Sequence, residues 1–127
     1  MKIKLSSVFV DDQNKALAFY TEKLGFVNKT EIPMGDVKWL TVVSPDEPDG
    51  TELVLEPDGN PAAKTFKQVL FDQGIPMTAF QVEDIQKEFE RLSQLGVVFS
   101  MPPTNMGPVT QAVLEDTCGN LIQIYQV

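Results

Sequence analysis

The sequence predicts an α+β fold of two β-α-β-β-β modules that form a cupped mixed sheet with the helices outside. A strand-helix-strand pattern occupies residues 8–26, and a similar pattern occupies residues 80–97. In each half, two further runs rich in strand-forming residues follow. Residues 1–127 are therefore interpreted as a single domain, with module 1 at 1–57, a connecting helix at 58–74 and module 2 at 75–127.

An internal repeat supports this interpretation. Three short matches between the two halves recur in the same order. Val10-Asp11-Asp12 matches Val82-Glu83-Asp84 at a shift of 72 positions, Gly25 matches Gly96 at 71, and Gly50 matches Gly119 at 69. A duplicated supersecondary unit leaves this kind of trace, and trimmed loops explain the drift.

Asp12 is expected to cap the first helix, residues 12–24, because its side chain can accept a hydrogen bond from the first turn. Ala16, Phe19, Tyr20 and Leu24 form the apolar stripe of this helix, and Gly25 ends it. The remaining elements of module 1 follow by alternation and turn residues: strands at 2–10, 26–32, 37–44 and 51–56, with turns at 33–36 and 45–50.

The connecting helix is predicted to begin at Pro61, with Asn60 as its cap and Gly74 after its end. Its expected apolar stripe consists of Ala62, Phe66, Val69 and Leu70.

Module 2 repeats the order of module 1. Asp84 caps a helix that Gly96 ends, and the expected strands are 75–82, 97–101, 109–115 and 121–127. Proline and glycine at 102–108 predict a loop. Cys118 lies in the predicted turn at 116–120, where an exposed and unactivated thiol is expected.

Composition narrows the possible functions. The net charge is −8, with 10 Lys and Arg against 18 Asp and Glu. This charge disfavours nucleic acid and anionic membrane surfaces as partners. The absence of histidine excludes a Ser-His-Asp triad and a His-based zinc site. One cysteine allows no internal disulfide, and no signal-peptide core precedes the first strand, so a cytoplasmic location is expected.

Strand alternation predicts which side chains line the open side of the sheet. If Val8 and Val10 face the helix, their odd-numbered neighbours face away from it. The same alternation on the other strands, with the repeat used to orient 51–56, puts the predicted ligand-binding residues on the open side: Leu5, Ser7, Phe9, Trp39, Thr41, Glu52, Val54, Met77, Gln123 and Tyr125. Trp39, Phe9 and Tyr125 could equally be core residues, and Glu52 with Glu56 could be solvated carboxylates.

The chain resembles the vicinal oxygen chelate superfamily, which contains glyoxalase I, extradiol dioxygenases and bleomycin-resistance proteins. The resemblance rests on these segments: Val10-Asp11-Asp12, Ala18-Phe19-Tyr20, Leu24-Gly25-Phe26, Phe80-Gln81-Val82-Glu83-Asp84, Leu95-Gly96-Val97 and Glu115-Asp116-Thr117-Cys118-Gly119-Asn120. It is specific to the fold and not to one activity. It also implies a homodimer.

In the enzymes of this superfamily, one residue from each of four strands holds a divalent metal. The matching positions here are Leu5, Val54, Met77 and Gln123. Aliphatic and thioether groups are poor ligands for hard divalent ions, so neither a metal site nor another cofactor nor the family's catalytic residues are expected.

Three functions follow from the resemblance. The first is metal-independent binding of a small organic molecule, as in bleomycin resistance, for which the acidic surface makes a cationic ligand a candidate. The second is a glyoxalase- or dioxygenase-type lyase or oxidoreductase with a displaced metal site, for which Glu52, Glu56, Gln123 and Asp residues are available. The third is a metal-free enzyme or a regulatory module.

Overall fold

A computed structural model describes all residues of the chain, Met1–Val127. The chain divides into two compact units, Met1–Thr65 and Phe66–Val127. The first contains β1 (Leu5–Val10), α1 (Gln13–Ala18), β2 (Val27–Met34), β3 (Val37–Val43) and β4 (Glu52–Pro57). Helix α2 (Pro61–Asp72) crosses the boundary in sequence. The second contains β5 (Thr78–Gln81), α3 (Ile85–Gln94), β6 (Phe99–Asn105), β7 (Thr110–Glu115) and β8 (Leu121–Gln126).

The two units contain sheets of the same topology. The strand orders are β1-β4-β3-β2 and β5-β8-β7-β6. In each sheet the first strand pairs in parallel with the last strand of its unit, and the other pairs are antiparallel. Helix α1 packs against β3 and β4, and α3 packs against β6, β7 and β8. The predicted α+β fold and its two β-α-β-β-β modules are therefore confirmed.

The predicted helix starts are also confirmed. The Asp12 carboxylate accepts a hydrogen bond from the Lys15 backbone N–H at 3.0 Å, and Asp84 accepts one from the Lys87 N–H at 3.1 Å. Both capping residues have extended backbones, as an N-cap requires. The C-terminal ends of the two helical segments differ in detail, but each is followed by a glycine in the left-handed conformation, since Gly25 and Gly96 both have φ of +86°.

The first helix is not the continuous α-helix that was expected over residues 12–24. It is α-helical only to Ala18 and continues as a π-helix over Phe19–Lys23. The Thr21 hydroxyl donates to the Leu17 carbonyl at 2.7 Å within this stretch, so a side chain competes there for a backbone acceptor. Phe19 and Tyr20, at the start of this stretch, are both buried.

Each sheet buries one face under its helix. In the first unit the buried residues at even positions of β1 and β3 are Val8, Val10, Leu40 and Val42. In the second unit, Ile122 and Ile124 are buried beneath α3, which contributes Leu92. These are the faces that alternation predicted.

Strands β3 and β4 pair directly at only two positions, Thr41 with Val54 and Val42 with Leu53. Beyond this ladder the Gln13 side chain joins the two strands. Its amide donates to the Lys38 and Leu55 carbonyls, both at 2.8 Å, and its oxygen accepts from the Lys38 N–H at 3.0 Å. A helix side chain thus satisfies backbone groups that the ladder leaves open.

The predicted loop at 102–108 is wrong in its first part, because β6 continues through Pro102 and Pro103 to Asn105. The strand lies at the edge of its sheet, where proline's missing donor need not break a ladder. Its register against β7 shifts after Phe99 and again after Met101, which accommodates the prolines.

The predicted apolar stripe of α2 is wrong as a buried face. Phe66 is 51% exposed and Val69 44% exposed, whereas Ala63 and Lys67 are buried. The Asn60 cap is present, since its side-chain oxygen accepts from the Ala62 N–H at 2.9 Å. No helix in the structure is both long enough and apolar enough to cross a membrane.

Three residues of the turn at 116–120 are buried, Asp116, Cys118 and Asn120, so the expectation of an exposed Cys118 thiol is wrong: Cys118 is 0% exposed. The Asp116 carboxylate accepts from the Cys118 and Asn120 backbone N–H groups at 2.8 and 3.0 Å, and from the Asn120 side-chain amide at 2.8 Å. The Lys67 ammonium closes the turn from α2 by donating to the Cys118 carbonyl at 2.6 Å. These polar contacts draw the turn inward.

Candidate ligand-binding site

The open face of the first sheet brings together seven of the predicted ligand-binding residues. Strands β1 and β4 pair Leu5 with Glu52, Ser7 with Val54, and Phe9 with Glu56. Side chains of paired residues on one face lie about 5 Å apart at Cβ. The face is therefore organised in rows that run across the strands.

The middle row is compact and polar at its ends. Val54 is buried and lies between Ser7 on β1 and Thr41 on β3. Thr41 is also buried, and its hydroxyl donates to the Glu52 carboxylate at 2.6 Å. One of the two predicted carboxylates is thus held in place by a neighbouring side chain.

The row towards the β2–β3 hairpin is aromatic. Continuing the Thr41–Val54 register by two residues sets Trp39 opposite Glu56, and the Gln13 amide ties the strands together at that level. Phe9 lies on the other side of Glu56, and Ile32 pairs with Trp39 on β2. Phe9, Trp39 and Glu56 are all half-buried.

Sequence reasoning missed part of this face. Met34 pairs with Val37, and with Ile32 they place three exposed apolar side chains beside Trp39. Met34 is 58% exposed. The turn had been predicted at 33–36, but β2 continues to Met34 and leaves only Gly35 and Asp36 between the strands. The signal in the sequence is the pair Gly35-Asp36, which is typical of two-residue hairpin loops, and Gly35 adopts a φ of +68° in the structure.

The second sheet places the other three predicted residues on and beside its central pair of strands. Met77 directly precedes β5, and its N–H donates to the Leu121 carbonyl at 2.8 Å. Gln123 pairs with Ala79 on one side and Val113 on the other, and Tyr125 pairs with Gln81 and Gln111. Met77, Gln123 and Tyr125 are half-buried, so part of each side chain remains accessible.

The residues at the superfamily's metal-ligand positions do not fit a divalent ion. Leu5 and Val54 carry no donor atom, so the first unit supplies none at these positions. Met77 offers a thioether and Gln123 a single amide oxygen, neither of which suits a hard ion by itself. Nowhere does the structure gather three His, Cys, Asp or Glu side chains in an arrangement that could hold a metal.

The chain is similar to known proteins over almost its full length. The sequence pattern of the "Glyoxalase/Bleomycin resistance protein/Dioxygenase superfamily" matches residues 2–124. The protein YurT of Bacillus subtilis (strain 168) is 59% identical over 126 residues, which is 99% of each chain.

Solved structures agree with this assignment. The crystal structure of UcmS2 has 34% sequence identity and a TM-score of 0.84, over 98% of this chain and 97% of that one. TnmS3, described as an antibiotic binding protein from Streptomyces sp. CB03234, has 28% identity and a TM-score of 0.79, over 99% and 95% of the two chains. The repeated topology, the sequence match and these structures together establish that the chain belongs to the glyoxalase/bleomycin resistance protein/dioxygenase superfamily.

Proposed function

We propose that the protein binds a small organic molecule without a metal ion and acts by sequestering it. The observation that carries this proposal is the open face of the first sheet, where accessible apolar and aromatic side chains surround carboxylates, while the superfamily's metal positions carry Leu5, Val54, Met77 and Gln123. Ligand sites in proteins combine mostly apolar surface with a few placed polar groups.

The similarity to TnmS3 also supports small-molecule binding. That protein is described as antibiotic binding, and its fold matches this chain along nearly the whole length. We therefore propose an antibiotic-like aromatic molecule as the ligand. By analogy with drug-sequestering members of the superfamily, the protein would lower the free concentration of a toxic compound and would not change it chemically.

An enzyme with a displaced metal site is less well supported. Glu52 and Glu56 lie four residues apart on one strand, so their Cα atoms are separated by about 13 Å. Glu52 is already engaged by Thr41 at 2.6 Å, and no third acidic or thiol ligand joins either carboxylate. The donor chemistry therefore favours binding over metal catalysis.

The test is a thermal-shift screen of the purified full chain against aromatic antibiotics, in the presence and absence of EDTA. A ligand present at 100 times its Kd should raise the free energy of unfolding by about 2.7 kcal/mol, whether or not EDTA is added. Trp39→Leu and Gln123→Ala should each weaken the shift. The control Phe66→Leu alters an exposed aromatic residue on α2, which belongs to neither sheet, and should leave the shift unchanged.

Two results would contradict the proposal. One is a stoichiometric, tightly held Ni²⁺, Zn²⁺, Mn²⁺ or Fe²⁺ ion in the purified protein. The other is a ligand response that disappears with EDTA.

We further propose that the protein is a cytoplasmic homodimer of single-domain subunits, as the resemblance to the superfamily implies. Light scattering coupled to size-exclusion chromatography should give a mass of twice the 14.1 kDa chain. A mass of one chain across the accessible concentration range would refute the dimer.

A further inference from the structure

The aromatic row of the first sheet contains one feature that small-molecule binding in general does not explain. Glu56 is half-buried on β4, with Phe9 paired to it on β1. Continuing the β3–β4 register beyond its last pair sets Trp39 across from Glu56 on β3, at the level where the Gln13 side chain bridges the two strands. The sheet thus places a carboxylate beside one aromatic residue and, by continued register, across from a second. Burying part of a charge among rings is costly unless something compensates for it.

Nothing in the chain compensates for the Glu56 charge. Its carboxylate has neither an ion pair nor a hydrogen bond, in contrast to Glu52, which accepts from Thr41. No Lys or Arg is at the paired positions of this face, which hold Leu5, Ser7, Phe9, Val27, Thr30, Ile32, Met34, Val37, Trp39, Thr41, Val43, Glu52, Val54 and Glu56.

Three lysines of this unit donate to groups other than Glu56. Lys38 lies on the opposite face of β3, where its ammonium pairs with Glu31 at 2.8 Å. Lys29 and Lys4 donate to the backbone carbonyls of Pro48 and Asp49, at 2.9 and 2.7 Å. No ion pair is formed with Glu56, so the cation of a ligand can take that place.

We propose that Phe9, Glu56 and Trp39 form a recognition site for the organic ammonium group of the ligand, an inference that rests on the proposed function. Aromatic faces attract a cation through the ring quadrupole, and recognition of alkylated ammonium groups by aromatic side chains is a recurrent use of that attraction. The carboxylate adds the opposite charge at the centre of the row. The exposed side chains of Ile32, Met34 and Val37 then contact the apolar part of the same molecule.

The chemistry of the row selects an ammonium group over a metal ion. A single carboxylate flanked by rings provides too few oxygen ligands for a hard divalent ion. A methylated or primary ammonium needs no such coordination shell, because it interacts with ring faces and one carboxylate. The net charge of −8 further favours the approach of a cation.

The experiment uses two soluble probes of the same shape, choline and its uncharged isostere 3,3-dimethylbutan-1-ol. Trp39 is the only tryptophan, so its fluorescence reports on the proposed site directly. We expect choline to bind the full-length protein at least about tenfold more tightly than the neutral alcohol, because only choline gains the charge and ring interactions.

Variants test whether the preference for choline over the neutral alcohol depends on the aromatic row. Glu56→Gln should lower choline affinity about tenfold and leave the affinity for the neutral probe unchanged. Phe9→Leu should lower choline affinity about two- to fivefold. The control Glu22→Gln removes the same charge from an exposed helical position and should change neither affinity. Circular dichroism and thermal melts confirm that each variant is folded.

Three outcomes would overturn the inference: no saturable choline binding, equal affinity for the two probes, or equal loss in Glu56→Gln and Glu22→Gln. The last would mean that diffuse surface charge attracts the cation. The proposed function fails separately. If the protein binds aromatic antibiotics without a metal but shows no preference for an ammonium group, the proposed function stands and this inference fails. If the ligand response disappears with EDTA, the proposed function fails, and the ratio of choline affinity to neutral-alcohol affinity still decides the ammonium site.

Discussion

Substitution of Asp116 by alanine should strongly destabilise the protein. The carboxylate is fully buried and accepts three hydrogen bonds: from the Cys118 and Asn120 backbone N–H groups and from the Asn120 side-chain amide, at 2.8 to 3.0 Å. Alanine would leave these donors buried without their acceptor, and each costs about 1–3 kcal/mol. Partial relaxation of the turn leaves an expected loss of about 3–5 kcal/mol in the free energy of unfolding.

Urea denaturation followed by circular dichroism measures this loss, and the melting temperature should fall by about 10–20 °C. Asp116→Asn should lie between wild type and alanine, because one oxygen is kept while an amide NH₂ replaces the other. Asp46→Ala, in an exposed turn, is the matched control and should change stability by less than about 0.5 kcal/mol. A loss below about 1 kcal/mol for Asp116→Ala would refute the account of this turn.

Three further predictions concern single residues. Gly119→Ala should lower the free energy of unfolding in urea more than Gly25→Ala does. Both glycines have positive φ, but only at Gly119 would the new Cβ lie 2.9 Å from the Lys67 ammonium. Equal losses in the two variants would show that backbone strain alone acts. Asp12→Ala should destabilise by about 1 kcal/mol through the lost helix cap, and an unchanged urea midpoint would contradict that role. The Cys118 thiol should react slowly with Ellman's reagent in the folded protein and rapidly in guanidinium chloride, whereas fast reaction without denaturant would contradict its burial.

Much of the fold could be predicted because its signals are local. Asp12 and Asp84 cap helices through contacts three residues away, and Gly25 and Gly96 end them by adopting a conformation that glycine tolerates. The duplicated order of these signals then predicted two sheets with one topology.

The errors arose where a contact distant in sequence decides the outcome. On α2 the composition favoured burial of Phe66, yet the helix turns Lys67 inward because its ammonium finds the Cys118 carbonyl 51 residues away. The same contact helps to bury Cys118, which a turn position suggested was exposed. Pro102 and Pro103 indicated a loop, but the edge position of β6 tolerates them within a strand.

The candidate site shows the same division. Alternation along a strand identified Phe9, Trp39 and Val54 as sharing a face, because side-chain direction has a period of two residues. The sequence also established by itself that the superfamily's metal positions lack suitable donors. Register between strands depends on pairing across the sheet, so only the tertiary structure paired Glu56 with Phe9 and engaged Glu52 with Thr41. Local chemistry therefore determined the elements and their faces, and long-range pairing determined which side chains meet.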